Sequence, residues 1–540
     1  MEARSRLRLR LPATPETLGA THRCVPECPK CPPESLRSHP LTFPSLPPPP
    51  STYTVPYLTD VKGFSGDAVA KDIFPVSIYA SLFFYLIAGP ASKRMGLKTF
   101  VLCGAACRLW TRMILLWGTS LGAMQLMQVV YAAGTSADAI LMAYAYAIVG
   151  GEETNERGIH VHSSEGRRYR TVTGALSASH LGSYMLAALF GQVAFDSGVS
   201  YEALFYVSFV SVGAGCVVGC FLPSAPFDEG PGLLLFTQTP STRPPLRPTG
   251  RTLRDELTRF TKAIGDTVTL VSSRCYGSGV MCVLSGWWVL SSAPPAFLEW
   301  YGTSLFDAID QTHDANGYVV FVARFMMACA SVLGGMESVG GTHAANPLLY
   351  GGTSGFVSVC AFGMSVSGGV GVAATFYCLA LAASQGAAVV VYSQAALAMD
   401  TLNEGAQRER GEGTKVSSDD AEGGAGEAGE VVTGENMGSP DHALLFGANG
   451  FLGIFALVLL QAFVDSARVG IRADIAAAAV ASLVVAVVTL ASAKVRERWW
   501  GLSGWRLDPT GADFGRGEAI LDEDADAREM HPEADASALL

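Results

Sequence analysis

The sequence predicts an all-α integral membrane protein, and three observations carry that prediction. Only 16% of its 540 residues are charged, where soluble domains carry roughly 25%. Residues of the apolar set AVILMFWYC make up 49%, and mean hydropathy is +0.30. Stretches of about 20 residues nearly free of charge recur along the chain, each long enough to cross a hydrocarbon core roughly 30 Å thick. This balance excludes a disordered chain and a coiled coil. Twelve cysteines are few for a disulfide scaffold of this length, and Cys103, Cys107, Cys216, Cys220, Cys275, Cys282, Cys329, Cys360 and Cys378 lie in or beside apolar stretches, where free Cys acts as a small hydrophobe. The net charge of −11 is dominated by tails and loops and identifies no partner.

Residues 1–51 form a Pro-rich leader, with Arg4, Arg6, Arg8 and Arg10 at its front and Pro47 to Pro50 at its end. No apolar run in it is long enough for a signal segment or a span, so the expectation is an unstructured segment. Cys24, Cys28 and Cys31 with His22 have zinc-ligand chemistry, but the spacing lacks a second paired half. Eleven candidate spans follow, at 73–91, 98–118, 123–149, 172–195, 201–222, 277–298, 317–336, 348–369, 371–399, 443–464 and 473–493. The first five belong to an N-terminal bundle over 52–222 and the other six to a C-terminal bundle over 276–493. Between them, the linker 223–275 begins Pro/Gly-rich and then becomes charged and amphipathic over Leu253 to Val271, the pattern of a helix lying along a membrane surface. The Gly/Glu-rich insert 403–441 reads as disordered, and the tail 494–540 starts basic and ends acidic.

Orientation follows from the basic residues. One side of the alternating loops holds Lys93, Arg94, Lys98, Arg157, Arg167, Arg168 and Arg170, together with the basic residues of both long inserts and the tail; the other holds only Lys62, Lys71, Arg468 and Arg472. The positive-inside rule therefore places the C-terminus and both inserts in the cytoplasm. Eleven spans then leave the basic leader outside, an inconsistency that one further span would remove.

Six segments together resemble those of one known family of membrane carriers. Met124-Gln125-Leu126-Met127-Gln128-Val129-Val130-Tyr131, with Thr135-Ser136-Ala137-Asp138 and Tyr144-Ala145-Tyr146, is similar to the family's fourth span. Pro56-Tyr57-Leu58-Thr59 followed by Lys71-Asp72-Ile73-Phe74-Pro75-Val76 resembles the approach to its second span. Gly191-Gln192, Trp287-Trp288 and Asn316-Gly317 stand in the family's order, and Leu445-Phe446-Gly447-Ala448-Asn449 with Val464-Asp465 resembles its eleventh span. The family is the reduced folate carrier family, whose members carry folate or thiamine, and the resemblance covers about residues 51 to 495. It implies a major-facilitator-type fold of two six-helix halves around a midplane site, with alternating access by rocking of the halves. It also implies a first span ahead of the Pro-Tyr-Leu segment, where this chain has its Pro-rich leader; a mis-assigned first exon is the expectation.

Ionisable residues inside spans cost roughly 2.5 to 3.5 kcal/mol at a helix centre on insertion scales, so each is a functional candidate. Here they are Arg108, Arg112, Asp138 and Arg324, with His180 as a titrating group whose unperturbed pKa near 6.5 suits proton coupling. The resemblance places Asp138 where thiamine carriers have an acidic residue and folate carriers an arginine, and Ser384 where folate carriers have another arginine. Charge logic agrees, since a cation needs a carboxylate counter-ion and an anion needs Arg or Lys. The competing reading pairs Asp138 with Arg108 or Arg112, which share a helix face. A flat cationic ring also needs aromatic walls. The resemblance offers Phe74 and Tyr184, with Tyr144, Trp287 and Trp288 beside them, against a reading of core packing or interfacial belt. Asn316 is either a hydrogen-bond partner for a pyrimidine edge or a helix N-cap. Ser77 and Leu141 replace aromatic residues of thiamine carriers, and Arg324 is read as an ion-pair or anion-path residue. Glu299, at the end of its span, is expected near the headgroups.

The reading is a secondary transporter in the plasma membrane for a vitamin, thiamine or a similar aromatic cation. The rivals are a folate or organic-anion carrier using Arg108, Arg112 or Arg324, and a non-transporting membrane receptor. The chain shows no nucleotide-binding motif, no cofactor or metal-ligand set and no paired acids at catalytic spacing. Its partners are a small-molecule substrate and the bilayer, with the coupling ion or exchanged solute open and no nucleic acid.

Overall fold

Backbone in lipid must satisfy its own hydrogen bonds, and a helix does so within one segment. Each of the eleven apolar stretches is one helix in the computed structural model of the chain: α1 (Phe74–Met95), α2 (Leu97–Trp117), α3 (Leu121–Gly151), α4 (His162–Asp196), α5 (Tyr201–Cys220), α6 (Gly279–Ile309), α7 (Asn316–Gly335), α8 (Pro347–Val366), α9 (Val370–Val416), α10 (Gly438–Ala467) and α11 (Ile471–Trp500). The structure describes residues 54–151, 162–223, 279–310, 315–336, 347–416, 438–467 and 470–500, with Thr258, Thr261, Lys262, Gly265, Val268, Thr269 and Ser272 of the linker. The leader 1–51 with its Cys/His cluster, most of the linker, the middle of the Gly/Glu insert and the tail beyond Trp500 lie outside the described residues.

Ten of these helices are long and apolar enough to cross a membrane. The remaining one, α4, has 35 residues but opens on the polar run 162–168 and carries Thr173, Ser177, His180, Ser183 and Gln192 along its length, which dilutes its hydropathy. It packs most extensively on α7, between the two halves of the bundle. Several helices run further than their apolar stretches, α6 and α9 the furthest. Helix α6 continues to Ile309 through Pro294 and Pro295, and α9 continues to Val416, so the first part of the 403–441 insert is helical rather than disordered. Glu404, Gln407, Arg408, Glu409 and Arg410 are good helix formers, which accounts for the extension. In the linker, 258, 261, 262, 265, 268 and 269 are exposed and helical, at spacings that put them on one face.

Five helices form the N-terminal half and six the C-terminal half. The pairings α1–α3, α2–α3 and α2–α5 recur as α7–α9, α8–α9 and α8–α11, so α1 to α5 correspond to α7 to α11. The additional helix, α6, lies against α9, α10 and α11.

The halves meet where side chains are absent. A Cβ on Gly174 of α4 would lie 2.8 Å from the Cα of Gly335 on α7, and one on Gly447 of α10 would lie 3.1 Å from the backbone nitrogen of Gly89 on α1. Small residues at such crossings let helix backbones approach in the way membrane bundles favour. The same logic holds at Gly351, whose Cβ would reach 2.6 Å from Leu490 between α8 and α11. It does not extend to Gly368 and Gly369, which have open space around them in the turn before α9.

Candidate functional site

The N-terminal half brings its charges together through glycine. A Cβ on Gly104 of α2 would meet the Cβ of Ala137 at 2.2 Å, and one on Gly134 of α3 would meet Cγ of Arg108 at 3.0 Å. That close approach lets the Arg108 guanidinium donate to the Asp138 carboxylate as an ion pair. The pair forms one wall of a cleft lined by α2, α3, α4 and α5, in which Arg112, Tyr131, His180 and Tyr184 also stand. Of the two arginines that the sequence offered Asp138, the nearer partner is Arg108. The Asp138 side chain keeps 40% exposure and Arg108 keeps 21%, so both still face the cleft. Arg112, one turn further along α2, is buried at 9% exposure and makes no hydrogen bond or ion pair in the structure among the described residues.

The C-terminal half has its own cavity, with Trp287, Trp288 and Tyr392 as aromatic wall and Glu299, Ser384 and Gln385 as polar lining. Trp288 and Tyr392 rings lie 4.3 Å apart, and the Trp287 indole donates to the Tyr350 carbonyl and the Ser354 hydroxyl, each at 3.1 Å. Pro294 and Pro295 of α6 border this cavity, where a ring in place of a backbone N–H is tolerated. Glu299 is not at a helix end as the sequence suggested. Because α6 runs ten residues past it, Glu299 sits roughly 15 Å inside the helix terminus and accepts an ion pair from Arg324 of α7.

Arg324 links the two cavities. Its guanidinium lies over the Tyr184 ring at 5.3 Å, and Tyr184 in turn packs on His180 at 4.8 Å. Glu299, Arg324, Tyr184 and His180 thus form a continuous line from α6 across α7 to α4.

Three expected residues lie elsewhere. Phe74 packs with Tyr57, Leu58, Leu115 and Phe205 in a separate cluster at the start of α1. The Tyr144 hydroxyl donates to the Pro223 carbonyl at 2.6 Å, tying α3 to the segment after α5. The Asn316 amide donates to Asp307 at 2.8 Å in the α6–α7 turn. Its neighbour Gly317 has a different part: the Gly317 N–H donates to the Gln192 side chain at 3.1 Å, Gln192 donates to Asp196 at 2.9 Å, and the Tyr318 hydroxyl donates to Asp196 at 2.8 Å. Two motifs picked out separately in the sequence, Gly191-Gln192 and Asn316-Gly317, therefore meet across the halves. Tyr131 was quoted in a motif but not singled out. Its position seven residues before Asp138, on the same helix face, was the available signal.

Residues 47–398 match the model of a family described as reduced folate carrier. The match ends within α9, ahead of the α10 motif. No curated protein sequence matches the chain. Among solved structures, the human organic anion transporter MFSD10 (TETRAN) aligns at a TM-score of 0.52 and 11% identity, over 81% of this chain and 89% of that one. The proton:xylose symporter XylE of the major facilitator superfamily, bound to 6-bromo-6-deoxy-D-glucose, aligns at 0.52 and 9% identity, over 82% and 90%. The fold is the major-facilitator fold that the sequence predicted.

Proposed function

Because the chain belongs to the reduced folate carrier family, we propose that this integral membrane transporter moves thiamine or a similar small aromatic cation across the plasma membrane by alternating access. The observation that supports this reading is Asp138, a carboxylate facing a cleft walled by Tyr131, Tyr184 and His180. A carboxylate inside the bundle attracts a cation, and aromatic faces hold a flat charged ring by cation–π contact. When the cleft is empty, Arg108 supplies the counter-charge and Asp138 is not left alone in a low dielectric. An arriving cation competes with Arg108 for the carboxylate. The halves then rock about the α4–α7 and α1–α10 crossings, with His180 as a titrating group in the same cleft and the basic loops and C-terminus on the cytoplasmic side.

A folate-type anion is less well served. Arg108 and Arg324 each face a carboxylate already, which leaves Arg112, among the described residues, as the single unpaired guanidinium of the three, and the C-terminal cavity presents Ser384 where a second arginine is needed. The test is uptake of labelled thiamine and labelled folate in cells lacking both carriers. Thiamine uptake that falls at least ten-fold in Asp138→Asn is the expected result. Folate uptake alone would overturn the reading, and binding without accumulation would favour a receptor.

A further inference from the structure

Arg112 is the charge that the transport reading leaves unused. It lines the same cleft as Asp138, is buried at 9% exposure, and has no hydrogen-bond or ion-pair partner among the described residues. Guanidinium cannot shed its proton to escape the cost of burial, as a lysine can. Its neighbours do not answer the charge. Thr111 spends its hydroxyl on the Cys107 carbonyl and Thr135 on the Ala132 carbonyl, the Asp138 carboxylate is engaged by Arg108, and the rest of the polar lining is Tyr131, Tyr184, His180 and Cys216. Among the described residues, the cleft lining thus holds two arginines against one carboxylate, an excess of one positive charge. Arginine is also the side chain whose planar fork of donors fits carboxylate and phosphate oxygens in pairs.

We propose that Arg112 is an anion subsite beside the Asp138 cation subsite, so that the preferred substrate is an aromatic cation that also carries a phosphate or carboxylate group. This rests on the reading of the cleft as the transport site. Arg108 and Arg112 lie four residues apart, which on a helix is one turn and roughly 6 Å of rise. The anionic group is therefore held about one turn along α2 from the cationic ring, on the short tether of a single substrate molecule.

The experiment uses the full chain in cells lacking both carriers and measures labelled thiamine uptake against three unlabelled competitors: thiamine, thiamine monophosphate, and the analogue whose side-chain alcohol is oxidised to a carboxylate. The readout is the ratio of half-inhibitory concentrations within one cell line, which is independent of how much protein reaches the surface. In the wild type, at least one acidic competitor is expected to act at about one-tenth the thiamine concentration, and which one does so separates phosphate from carboxylate recognition. Arg112→Gln is expected to abolish that advantage, and Arg112→Lys to keep part of it. Thiamine uptake with no acidic advantage in the wild type, or an advantage that survives Arg112→Gln, would overturn the subsite. Absence of any thiamine uptake in the wild type would overturn the transport reading instead. If Arg112→Gln yields no measurable uptake, melting of the purified wild type decides: thiamine monophosphate or the acid must raise the transition more than equimolar thiamine does.

Discussion

Arg108 and Asp138 stabilise the N-terminal half only as a pair. Removing one partner of a fully buried pair typically costs about 3–5 kcal/mol. Here Asp138 keeps 40% exposure to the cleft, and solvent screening reduces the coupling to about 1–2 kcal/mol. Arg108→Gln is therefore expected to melt earlier than the Arg108→Gln/Asp138→Asn double variant, and a double-mutant cycle of melting in detergent checks it. Equal melting of the two would show that the pair does not couple. At this scale the sequence was informative about which residues matter and silent about who meets whom. Charges inside apolar stretches are rare enough to stand out, so Arg108, Arg112, Asp138 and Arg324 were visible at once. Their partners were not, because Arg108 and Asp138 are 30 residues apart on different helices, and Glu299 was misplaced by a span estimate that stopped at 298 while the helix continued.

Helix contacts give the next set of expectations. The Gln192 side chain already sits against Gly317, with a Cβ built there only 2.9 Å from the Gln192 Cβ. A disulfide needs Cβ atoms roughly 3.5–4.5 Å apart, so a small relaxation suffices. A Gln192→Cys/Gly317→Cys variant is expected to cross-link under mild oxidant and lose uptake, with recovery on reduction. The cross-link is read by cleaving the 223–275 linker and asking whether the halves stay joined. Gly174→Leu, by contrast, places a branched side chain where even a Cβ lies 2.8 Å from Gly335. Its uptake should fall at least ten-fold, and Gly174→Ala should lie between it and the wild type. Hydropathy made the helices themselves legible, α4 included, although its polar residues lower its average. What hydropathy does not encode is pairing: the meeting of Gly191-Gln192 with Asn316-Gly317 depends on the packing of α4 against α7.

For the molecule as a whole, binding in the cleft must appear as stability. A ligand at 100 times its Kd stabilises by about 2.7 kcal/mol when it binds only the folded state. Thiamine at that excess should raise the melting temperature of the wild type by up to roughly 5–11 °C, since each kcal/mol is worth about 2–4 °C for domains of 150–250 residues and less for a longer chain. Asp138→Asn should show no shift at the same concentration. The two-half architecture was legible from the resemblance and the span order. The division of the expected site residues between two cavities was not, since it depends on Arg324 and Tyr184 closing the space between them.

The glycine crossings also bear on how fast the halves can turn. Where Gly174 lies on Gly335 the contact is backbone on backbone, while at Gly89 the Leu444 side chain fits against the glycine. The first surface has no interlocked side chains to lift out of one another and no rotamers to freeze and release with each cycle. It acts as a smooth bearing, and the barrier to turning then lies in the contacts around it, the Gln192, Asp196 and Tyr318 cluster and the Arg324 contact on Tyr184 among them. Turnover is accordingly tuned by those polar contacts, while the glycine crossing sets the axis.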